Sequence, residues 1–337
     1  MAHLDPYPKI TQKMEPDSDG EPRGWVATEK LHGAHFAVVC DSTGVHPAKR
    51  RQVLTGDLLD GFFGVSRIWP RLAVAADRFA TMVRQANAKA ATGEEPVVTI
   101  YGELIGGRYP HPDVATVAGI DPVQTGVWYA PDLHWLVFDA RLTGGDRCDW
   151  IADDLLRQIA AAVGIVCVPG LGHGRLNVLR ELPDRFPSGV PRLLRLPELD
   201  DNLAEGYVLK PAGDWNDAAG DRPVIKVKQP AFAEDARYLG SQPYRPPMDG
   251  AAGVPAWLLL EAATRLTPAR ASAAVSKIGP GSDPKTVAGE IVDDVVEEIA
   301  ADIGGLDEPL ARSLTGVLRP AAADLARFDA ADRRAHR

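Results

Sequence analysis

A single lysine interrupts an apolar strand pattern near the start of the chain, in the stretch GWVATEKLHGAHFAVV at residues 24–39. Lys30 lies between two apolar runs, where a charged side chain costs desolvation free energy. A neutral lysine amine is a strong nucleophile, and burial or neighbouring cations favour that neutral form. Gly33, three residues on, is small enough to let the backbone approach a phosphate closely. For this segment alone the simpler interpretation is a lysine at a strand end that extends its amine to water.

Further polar side chains lie next to apolar strand patterns later in the chain. Glu103 follows Gly102 in TIYGELIGG, and Asp139 follows Phe138 in LVFDA. Taken singly, such carboxylates are typical of solvated strand ends. The other candidates are the AKRR cluster, with Lys49, Arg50 and Arg51, and the strand EGYVLKP, with Glu205 and Lys210.

Two more lysines alternate with apolar residues in VIKVKQP. Lys226 and Lys228 therefore face one side of a strand, while Ile225 and Val227 face the other. A half-exposed edge strand with outward lysines explains this pattern equally well. If the segments belong to one site, the two cations would point at triphosphate oxygens and favour the neutral amine of Lys30.

The elements that carry these residues predict an α+β fold. Strand patterns rich in β-branched and aromatic residues outnumber helical patterns between residue 24 and about residue 240. They rarely alternate one-for-one with helices, which favours antiparallel sheets over a doubly wound parallel sheet. Helices are predicted over 71–91 and 150–164. The six predicted strands are WVATEK, HFAVVC, VVTIYGEL, HWLVFDAR, EGYVLKP and PVIKVKQ.

A change of composition predicts a second domain. The stretch SQPYRPPMDGAAGVP at 241–255 is dense in proline and glycine and predicts a linker. We therefore expect an antiparallel-sheet domain over 1–243 and a small all-helical domain over 244–337.

Three helices are predicted in the second domain. The first begins near Pro255, and the second has Asp283 as its N-cap and ends before Gly304. The third is expected to break or kink at Pro320, and the tail from residue 329 is expected to fray.

Composition limits the classes of function. No apolar run reaches membrane-spanning length and the polar N-terminus has no apolar signal core, so a cytoplasmic protein is expected. Cys40, Cys148 and Cys167 are isolated, which argues against structural zinc or a disulfide framework and predicts free thiols. The net charge of −9 lowers the expectation of broad nucleic-acid binding and leaves room for one basic groove.

Together and in order, these segments resemble a known motif series. The series KxHG, KR, YGE, FD, EGYVLKP and KVK resembles that of the covalent nucleotidyltransferases, which comprise polynucleotide ligases and mRNA capping enzymes. KxHG and EGYVLKP followed by IKVKQPAFAE are similar to the phage T4 RNA ligase 2 family, which includes the trypanosome RNA-editing ligases. AVSKIGP, the acidic helix and VLRPA resemble the helical C-terminal domain of that family. The resemblance covers nearly the whole chain.

The resemblance implies an ATP-dependent RNA ligase that uses Mg²⁺ or Mn²⁺. Lys30 would attack the α-phosphate of ATP to give lysyl-AMP. AMP would pass to an RNA 5′-phosphate, and a 3′-OH would then displace it. The implied partner is nicked double-stranded RNA, or RNA with 5′-phosphate and 3′-OH ends, bound by a monomer away from membranes.

The resemblance also implies roles for the residues that hold ATP. Phe138 would stack on adenine with Val208 on the opposite face, Glu29 would read the adenine edge, and Glu103 would bond the ribose. Glu205 would hold the metal with Glu103, through water, while cations hold the α-phosphate. Those cations are Lys226 and Lys228. The resemblance assigns further residues to the other phosphates, to the signature or to the RNA end, namely His32, Gly33, Lys49, Arg50, Asp139, Asp153 and Lys210.

Three positions depart from the family pattern, and two alternatives stay open. Ala34 and His35 stand where threonine and asparagine are expected, and Arg51 where threonine is expected, so substrate preference or joining rate would differ. One alternative is a DNA ligase or another polynucleotide 5′-adenylyltransferase, which KxHG and the helical domain disfavour. The other is a catalytically dead RNA-end-binding module, which the retained Lys30 and Glu205 disfavour.

Overall fold

A computed structural model describes residues 4–8, 10, 24–87, 95–120, 122–124, 126–144, 147–216, 222–229 and 253–335. The chain divides into two compact units, Met1–Gln229 and Pro230–Arg337. Most of the predicted linker, and the predicted boundary after residue 243, lie outside the described residues, so that boundary stays a prediction. No helix among the described residues is long and apolar enough to span a bilayer.

The first unit is built on two sheets. Its strands are β1 (Trp25–Glu29), β2 (Ala34–Asp41), β3 (Gly44–Lys49), β4 (Gln52–Val53), β5 (Val97–Arg108), β6 (Ala130–Gly144), β7 (Arg147–Trp150), β8 (Val166–Cys167), β9 (Gly170–Gly174), β10 (Gly206–Pro211), β11 (Trp215–Asn216) and β12 (Ile225–Lys228). The smaller sheet has the order β12-β10-β1-β9 and the larger β11-β7-β6-β5-β2-β3-β4, with β8 parallel to β6. Every other strand pair is antiparallel, which confirms the α+β prediction and all six predicted strands.

The helices of the first unit are α1 (Asp57–Asp60), α2 (Trp69–Ala86), α3 (Asp153–Val163), α4 (Leu176–Leu179) and α5 (Val190–Leu193), with a 3-10 turn at Val65–Arg67. Two of them, α2 and α3, match the predicted ones with shifted ends, and the three short helices were not predicted. The helix predicted over 71–91 begins two residues earlier, and its predicted end lies beyond the described residues. The helix predicted over 150–164 begins three residues later because Trp150 pairs in β7 with Trp215.

The larger sheet separates two environments. On one face Phe36, Val38 and Ile100 pack with Phe79 and Val83 of α2 in a fully buried core. Each such apolar side chain stabilises the fold by about 1.5–3 kcal/mol when buried. The opposite face carries an aromatic cluster of Tyr7, Tyr101 and Trp150, so the strands alternate between a helix-covered core and this second face.

The smaller sheet is also two-sided. Trp25, Tyr207 and Leu209 lie on one face and pack with Leu179 of α4. The register places Val208 directly opposite Lys226, so both side chains belong to the other face. The candidate phosphate-binding lysines therefore lie on the face that the apolar core leaves uncovered.

The second unit is helical, as predicted, but with four helices among its described residues. They are α6 (Ala256–Arg265), α7 (Pro268–Ile278), α8 (Pro284–Asp302) and α9 (Glu308–Ala335). The sequence analysis missed α7. Asp283 caps α8 as predicted, its Oδ1 accepting hydrogen bonds from the amides of Lys285 at 2.9 Å and Thr286 at 3.1 Å.

The third predicted helix, α9, differs from the prediction in two respects. It runs through Pro320 without a break, which leaves only a kink as a prediction there, and it continues to Ala335 where a frayed tail was expected. Buried Leu318 and Ala322 on either side of the proline hold the helix in the core, which offsets the lost backbone hydrogen bond. Near its end, buried Asp329 accepts a hydrogen bond from Ser272 Oγ at 2.8 Å, which ties the tail to α7.

Candidate active site

Lys30 lies one residue beyond β1, where the smaller sheet gives way to the loop that leads into β2. Its amide donates to the carbonyl of Gly206 at 2.9 Å, which fixes the backbone. Its Nζ lies 2.5 Å from Oε2 of Glu205, and the lysine side chain is 22% exposed. The amine is therefore held by a carboxylate yet open to solvent on one side.

Glu205 is the centre of this arrangement. Its Oε1 lies 2.9 Å from Nζ of Lys228, and its Oε2 lies 3.7 Å from Nδ1 of His32. Burial alone would raise the pKa of Glu205, but the charges of Lys30 and Lys228 hold it well below its usual range. We call Lys30, Glu205 and Lys228 the outer cluster.

The loop after Lys30 packs closely on β5. The amide of Gly33 donates to Oε1 of Glu103 at 3.1 Å. A side chain at this position would place its Cβ 2.4 Å from the carbonyl oxygen of Leu104, so only glycine fits. Burial raises the pKa of Glu103 to about 8, although the charge of Lys30 opposes the shift. The glycine is thus required by packing on β5, and a close approach to phosphate stays a prediction.

Phe138 occupies a β-bulge in β6. Its neighbours Val137 and Asp139 pair with Gly102 and Tyr101, which leaves Phe138 as the extra residue. Its half-buried ring meets the ring of Tyr7 edge-on, with centroids 5.1 Å apart. Because of the bulge, the Phe138 side chain does not follow the regular alternation of side chains between the two faces of β6.

A second group of charges lies behind Phe138, and we call it the inner cluster. Lys210 Nζ donates to the carbonyl of Phe138 at 2.5 Å and lies 3.3 Å from Asp139 and 3.4 Å from Asp153. Arg222 Nη1 donates to Asp139 at 2.6 Å. The members of the inner cluster are Asp139, Asp153, Lys210 and Arg222.

Asp139, Asp153 and Lys210, which were expected in the signature or at the RNA end, are buried in the inner cluster, and a contact with RNA stays a prediction. Their side chains are at most 3% exposed and their charges are used on one another. Burial alone would raise the pKa of Asp153, but the charges of Lys210 and Arg157 hold it below its usual value. Asp153 lies close to Asp154 and His173 in a group that could bind a metal, but Arg157 at 2.7 Å already pairs with it.

Glu29 points away from the outer cluster. Its register with Tyr207 places it on the apolar face of the smaller sheet. Its carboxylate accepts hydrogen bonds from Ser188 Oγ at 2.6 Å and from the amide of Gly189 at 2.8 Å. Burial raises the pKa of Glu29 to about 7, against the effect of these two donors. A role at the adenine edge stays a prediction.

The remaining predicted cations lie on two different sheets. Val208 and Lys226 lie side by side, and Lys228 is opposite Gly206, so both lysines share the face of the outer cluster. Lys49 is opposite Phe36, which places it on the α2 side of the larger sheet, contrary to the expectation for the phosphate site.

Arg50 follows β3, and its positive charge acts on His35 and Glu103, which lie on the face of the larger sheet opposite α2. It lowers the pKa of both His35 and Glu103, which places its guanidinium near them. Arg51 is exposed.

Ala34 and His35, the two residues after Gly33 that depart from the family pattern, lie on opposite faces of β2. Ala34 is fully buried in the α2 core, opposite Leu104, and is a packing position rather than a phosphate-side position. His35 faces the other way, with its ring 5.9 Å from that of Phe138. Among the described residues its two ring nitrogens are buried without a hydrogen-bond partner, and burial lowers its pKa to about 3.

Sequence reasoning missed several residues that hold the site together. Tyr7 donates from its hydroxyl to Asp139 at 2.9 Å, and Gln124 Nε2 donates to the carbonyl of Gly33 at 3.3 Å. Arg222 lies just before the KVK strand, and its closeness in sequence to Lys226 and Lys228 could have indicated that it belongs near the site. The others, Tyr129, Ser188 and Asn202, lie in loops without a periodic pattern. Cys40, Cys148 and Cys167 are not in disulfides, and Sγ of Cys148 lies 3.7 Å from Oγ1 of Thr143.

The comparisons of this chain with known proteins all find RNA ligases. A family model described as RNA ligase matches residues 23–228. The mitochondrial RNA-editing ligase 2 of Trypanosoma brucei brucei is 30% identical over 234 residues, which cover 62% of this chain and 54% of that protein. The mitochondrial RNA-editing ligase 1 of Trypanosoma brucei brucei is 27% identical over 242 residues, covering 62% and 50%. The chain spans about half the length of the curated relatives it matches.

Solved structures of a Naegleria gruberi RNA ligase are also similar. A mutant of that ligase with ATP and Mn has a TM-score of 0.39 and 14% identity, covering 64% of this chain and 51% of that one. The same ligase with pyrophosphate has a TM-score of 0.36 and 15% identity, covering 64% and 52%.

Proposed function

This chain belongs to the RNA ligase family, and we propose that it is an ATP-dependent RNA ligase acting through lysyl-AMP. The proposed reaction seals nicks with 3′-OH and 5′-phosphate ends in double-stranded RNA. The observation that carries the proposal is the outer cluster, in which a half-exposed lysine is held 2.5 Å from a buried carboxylate beside a second lysine.

In the first chemical step, Nζ of Lys30 would bond to the α-phosphorus of ATP while the bond from that phosphorus to the β-phosphate oxygen breaks, and pyrophosphate would leave. Glu205 holds Nζ of Lys30 in place at 2.5 Å, and because only a neutral amine attacks phosphorus, this contact has to loosen for the reaction. Lys226 and Lys228, on the same face, would hold the phosphate oxygens as negative charge develops. In-line positioning and neutralised charge are the main requirements of phosphoryl and nucleotidyl transfer.

The nucleoside would lie between the two sheets. The resemblance to ligases supports adenine on Phe138, which the bulge turns out of its strand, with Val208 on the other face of the base. Glu103, already fixed by the amide of Gly33, would bond the ribose.

The carboxylates near Lys30 suit a divalent cation. Glu205 and Glu103 offer hard oxygen donors of the kind that Mg²⁺ and Mn²⁺ prefer, and both lie beside the predicted phosphate position. A bound ion would supply positive charge against the phosphates. Because Lys30 and Lys228 already contact both oxygens of Glu205, a contact through water fits this residue best.

The test is a covalent-adduct assay. The protein is incubated with labelled ATP and Mg²⁺, and the product is checked for an acid-labile phosphoramidate. Lys30→Ala should abolish the adduct, with Lys277→Ala, a lysine of the second unit, as a matched control that retains it. Absence of a wild-type adduct, or an adduct in Lys30→Ala, would contradict the mechanism.

Substrate choice needs a second assay. The adenylylated protein is offered a nicked duplex with RNA or DNA on the 3′-OH side. Sealing that requires RNA there supports the proposal. Equal sealing of an all-DNA nick would move the assignment to a DNA ligase, and an ATP adduct without any joining would favour a polynucleotide 5′-adenylyltransferase.

A further inference from the structure

The hydroxyl of Tyr129 holds the loop that carries Lys30. This tyrosine immediately precedes β6 and is only 2% exposed. Its oxygen accepts a hydrogen bond from the amide of His32 at 2.8 Å. The loop has no strand pairing between residues 30 and 33, so such contacts determine where its backbone lies.

Tyr129 is itself fixed through its neighbour. The amide of Trp128 donates to Oδ1 of Asn202 at 2.8 Å, and Nδ2 of Asn202 donates back to the carbonyl of Trp128 at 2.7 Å. A side-chain amide that both donates to and accepts from one residue fixes its backbone in orientation as well as distance. Asn202 is 6% exposed, so water competes little for these bonds.

The same asparagine connects to the residue before Lys30. The amide of Ser188 donates to the carbonyl of Asn202 at 2.9 Å. Ser188 Oγ then donates to Glu29 at 2.6 Å. The contacts therefore bracket Lys30, with Glu29 held on one side and His32 on the other, and both anchors lead back to Asn202.

The tyrosine keeps its hydroxyl proton in this setting. Burial raises its pKa well above the usual value, and the carboxylates of Glu29, Glu205 and Glu103 add to the effect, while the amide of His32 opposes it. A neutral hydroxyl can therefore accept from the amide throughout the pH range in which enzymes work.

We propose that Tyr129 is a positioning residue that sets the aim of Lys30 at the α-phosphate, with Asn202 holding Tyr129 in place. The inference rests on the proposed function, because it assigns Tyr129 a part in the adenylylation step. The hydroxyl acts through the backbone of His32 and contacts no reacting atom. Misplacement of a reacting group by about 1 Å lowers the rate on the order of a hundredfold. A small displacement of the loop backbone at His32 would therefore strongly lower the rate of adenylylation.

The decisive comparison is Tyr129→Phe against Tyr109→Phe. Tyr109 is equally buried, and its hydroxyl donates to the carbonyl of Pro197, so its substitution removes a similar bond outside the outer cluster. In single-turnover adenylylation, Tyr129→Phe should lower the rate at saturating ATP by about tenfold or more, with the half-saturating ATP concentration changed by less than about twofold. Tyr109→Phe should keep the wild-type rate.

Amide exchange gives a readout that needs no catalysis. Hydrogen–deuterium exchange at His32 should be faster in Tyr129→Phe than in wild type, and also in Asn202→Ala, while Tyr109→Phe should leave it unchanged. Wild-type protection of His32 in Tyr129→Phe would overturn the inference, even if the wild-type protein formed no adduct with ATP. A wild-type rate in Tyr129→Phe, or equal rate losses in both tyrosine variants, would also overturn it.

Discussion

The outer and inner clusters use the same residue types for opposite purposes. In the outer cluster Lys30 is 22% exposed and Lys228 is 40% exposed. In the inner cluster Lys210 is 3% exposed and Arg222 is 1% exposed. Both clusters pair cations with buried carboxylates, but only the outer one presents its cations to solvent.

This difference shows how burial assigns a function to a charge. A buried cation that satisfies two carboxylates and a carbonyl has no capacity left for a substrate, and its partners depend on it. A half-exposed cation with one partner can exchange that partner for a phosphate at small cost.

One strand links the clusters. Glu205 immediately precedes β10, and Lys210 lies near its other end, where its Nζ holds the carbonyl of Phe138. The inner cluster therefore fixes the ring on which we expect adenine to stack, and the outer cluster fixes the amine that we expect to react.

The largest effect on stability should follow Lys210→Met. The substitution leaves Asp139 and Asp153 buried with less compensation, and breaking a buried ion pair in this way costs about 3–5 kcal/mol. Urea unfolding should show the loss as a lower free energy of unfolding. A loss no greater than that of a surface substitution would mean that the inner cluster is not the scaffold we describe.

The same substitution in the outer cluster is the matched comparison. Lys228→Met removes one of the two lysines at Glu205 and should lower the free energy of unfolding less than Lys210→Met does, because Lys228 is 40% exposed and Lys30 still contacts the buried carboxylate. It should nevertheless slow lysyl-AMP formation strongly, measured with labelled ATP. Equal stability losses in Lys210→Met and Lys228→Met would remove the distinction between the clusters.

Phe138→Ala tests the link between the clusters. We expect ATP binding to weaken by about 1–3 kcal/mol, the contribution of an aromatic stack on a base. Isothermal titration of ATP in the absence of metal would measure it, with Phe138→Tyr as the control that keeps a stacking ring. An unchanged affinity in Phe138→Ala would mean that another ring holds the adenine.

The sequence predicted the parts of the site that lie on strands, and it missed the parts that depend on distant contacts. Lys30, Glu205 and Lys228 were found because they stand out against apolar alternation. The bulge at Phe138 has no signal in a single strand, since it arises from pairing with β5. Tyr7 meets Asp139 across 132 positions of the chain, and local patterns cannot show such a contact.

The second unit shows the same limit. Val287, Ile291, Val295 and Ile299 recur at i, i+4 spacing in the sequence, and all four lie in the core on one face of α8. Pro320 was judged from local propensity, and the packing of α9 overrode that propensity. Local rules therefore predicted α8, failed at Pro320 where packing overrode propensity, and missed α7.

A pH-dependent prediction concerns Glu103, whose carboxyl accepts a hydrogen bond from the loop that follows Lys30. Burial raises its pKa in the folded protein to about 8, from an ordinary value of 4.5. The folded state thus favours the protonated acid, so this residue lowers stability progressively as pH rises from 4.5 to 8 and adds no further change above that range. Glu103→Gln keeps an oxygen for the amide of Gly33 and removes the titration.

We therefore expect Glu103→Gln to gain stability relative to wild type progressively as pH rises across that range. Urea unfolding of both proteins at several pH values would measure the difference, with Glu308→Gln, an exposed carboxylate at the start of α9, as the control without a trend. A difference that stays constant with pH would show that Glu103 is charged at low cost in the folded protein. The outer cluster would then be as well compensated as the inner one, and exposure alone would distinguish them.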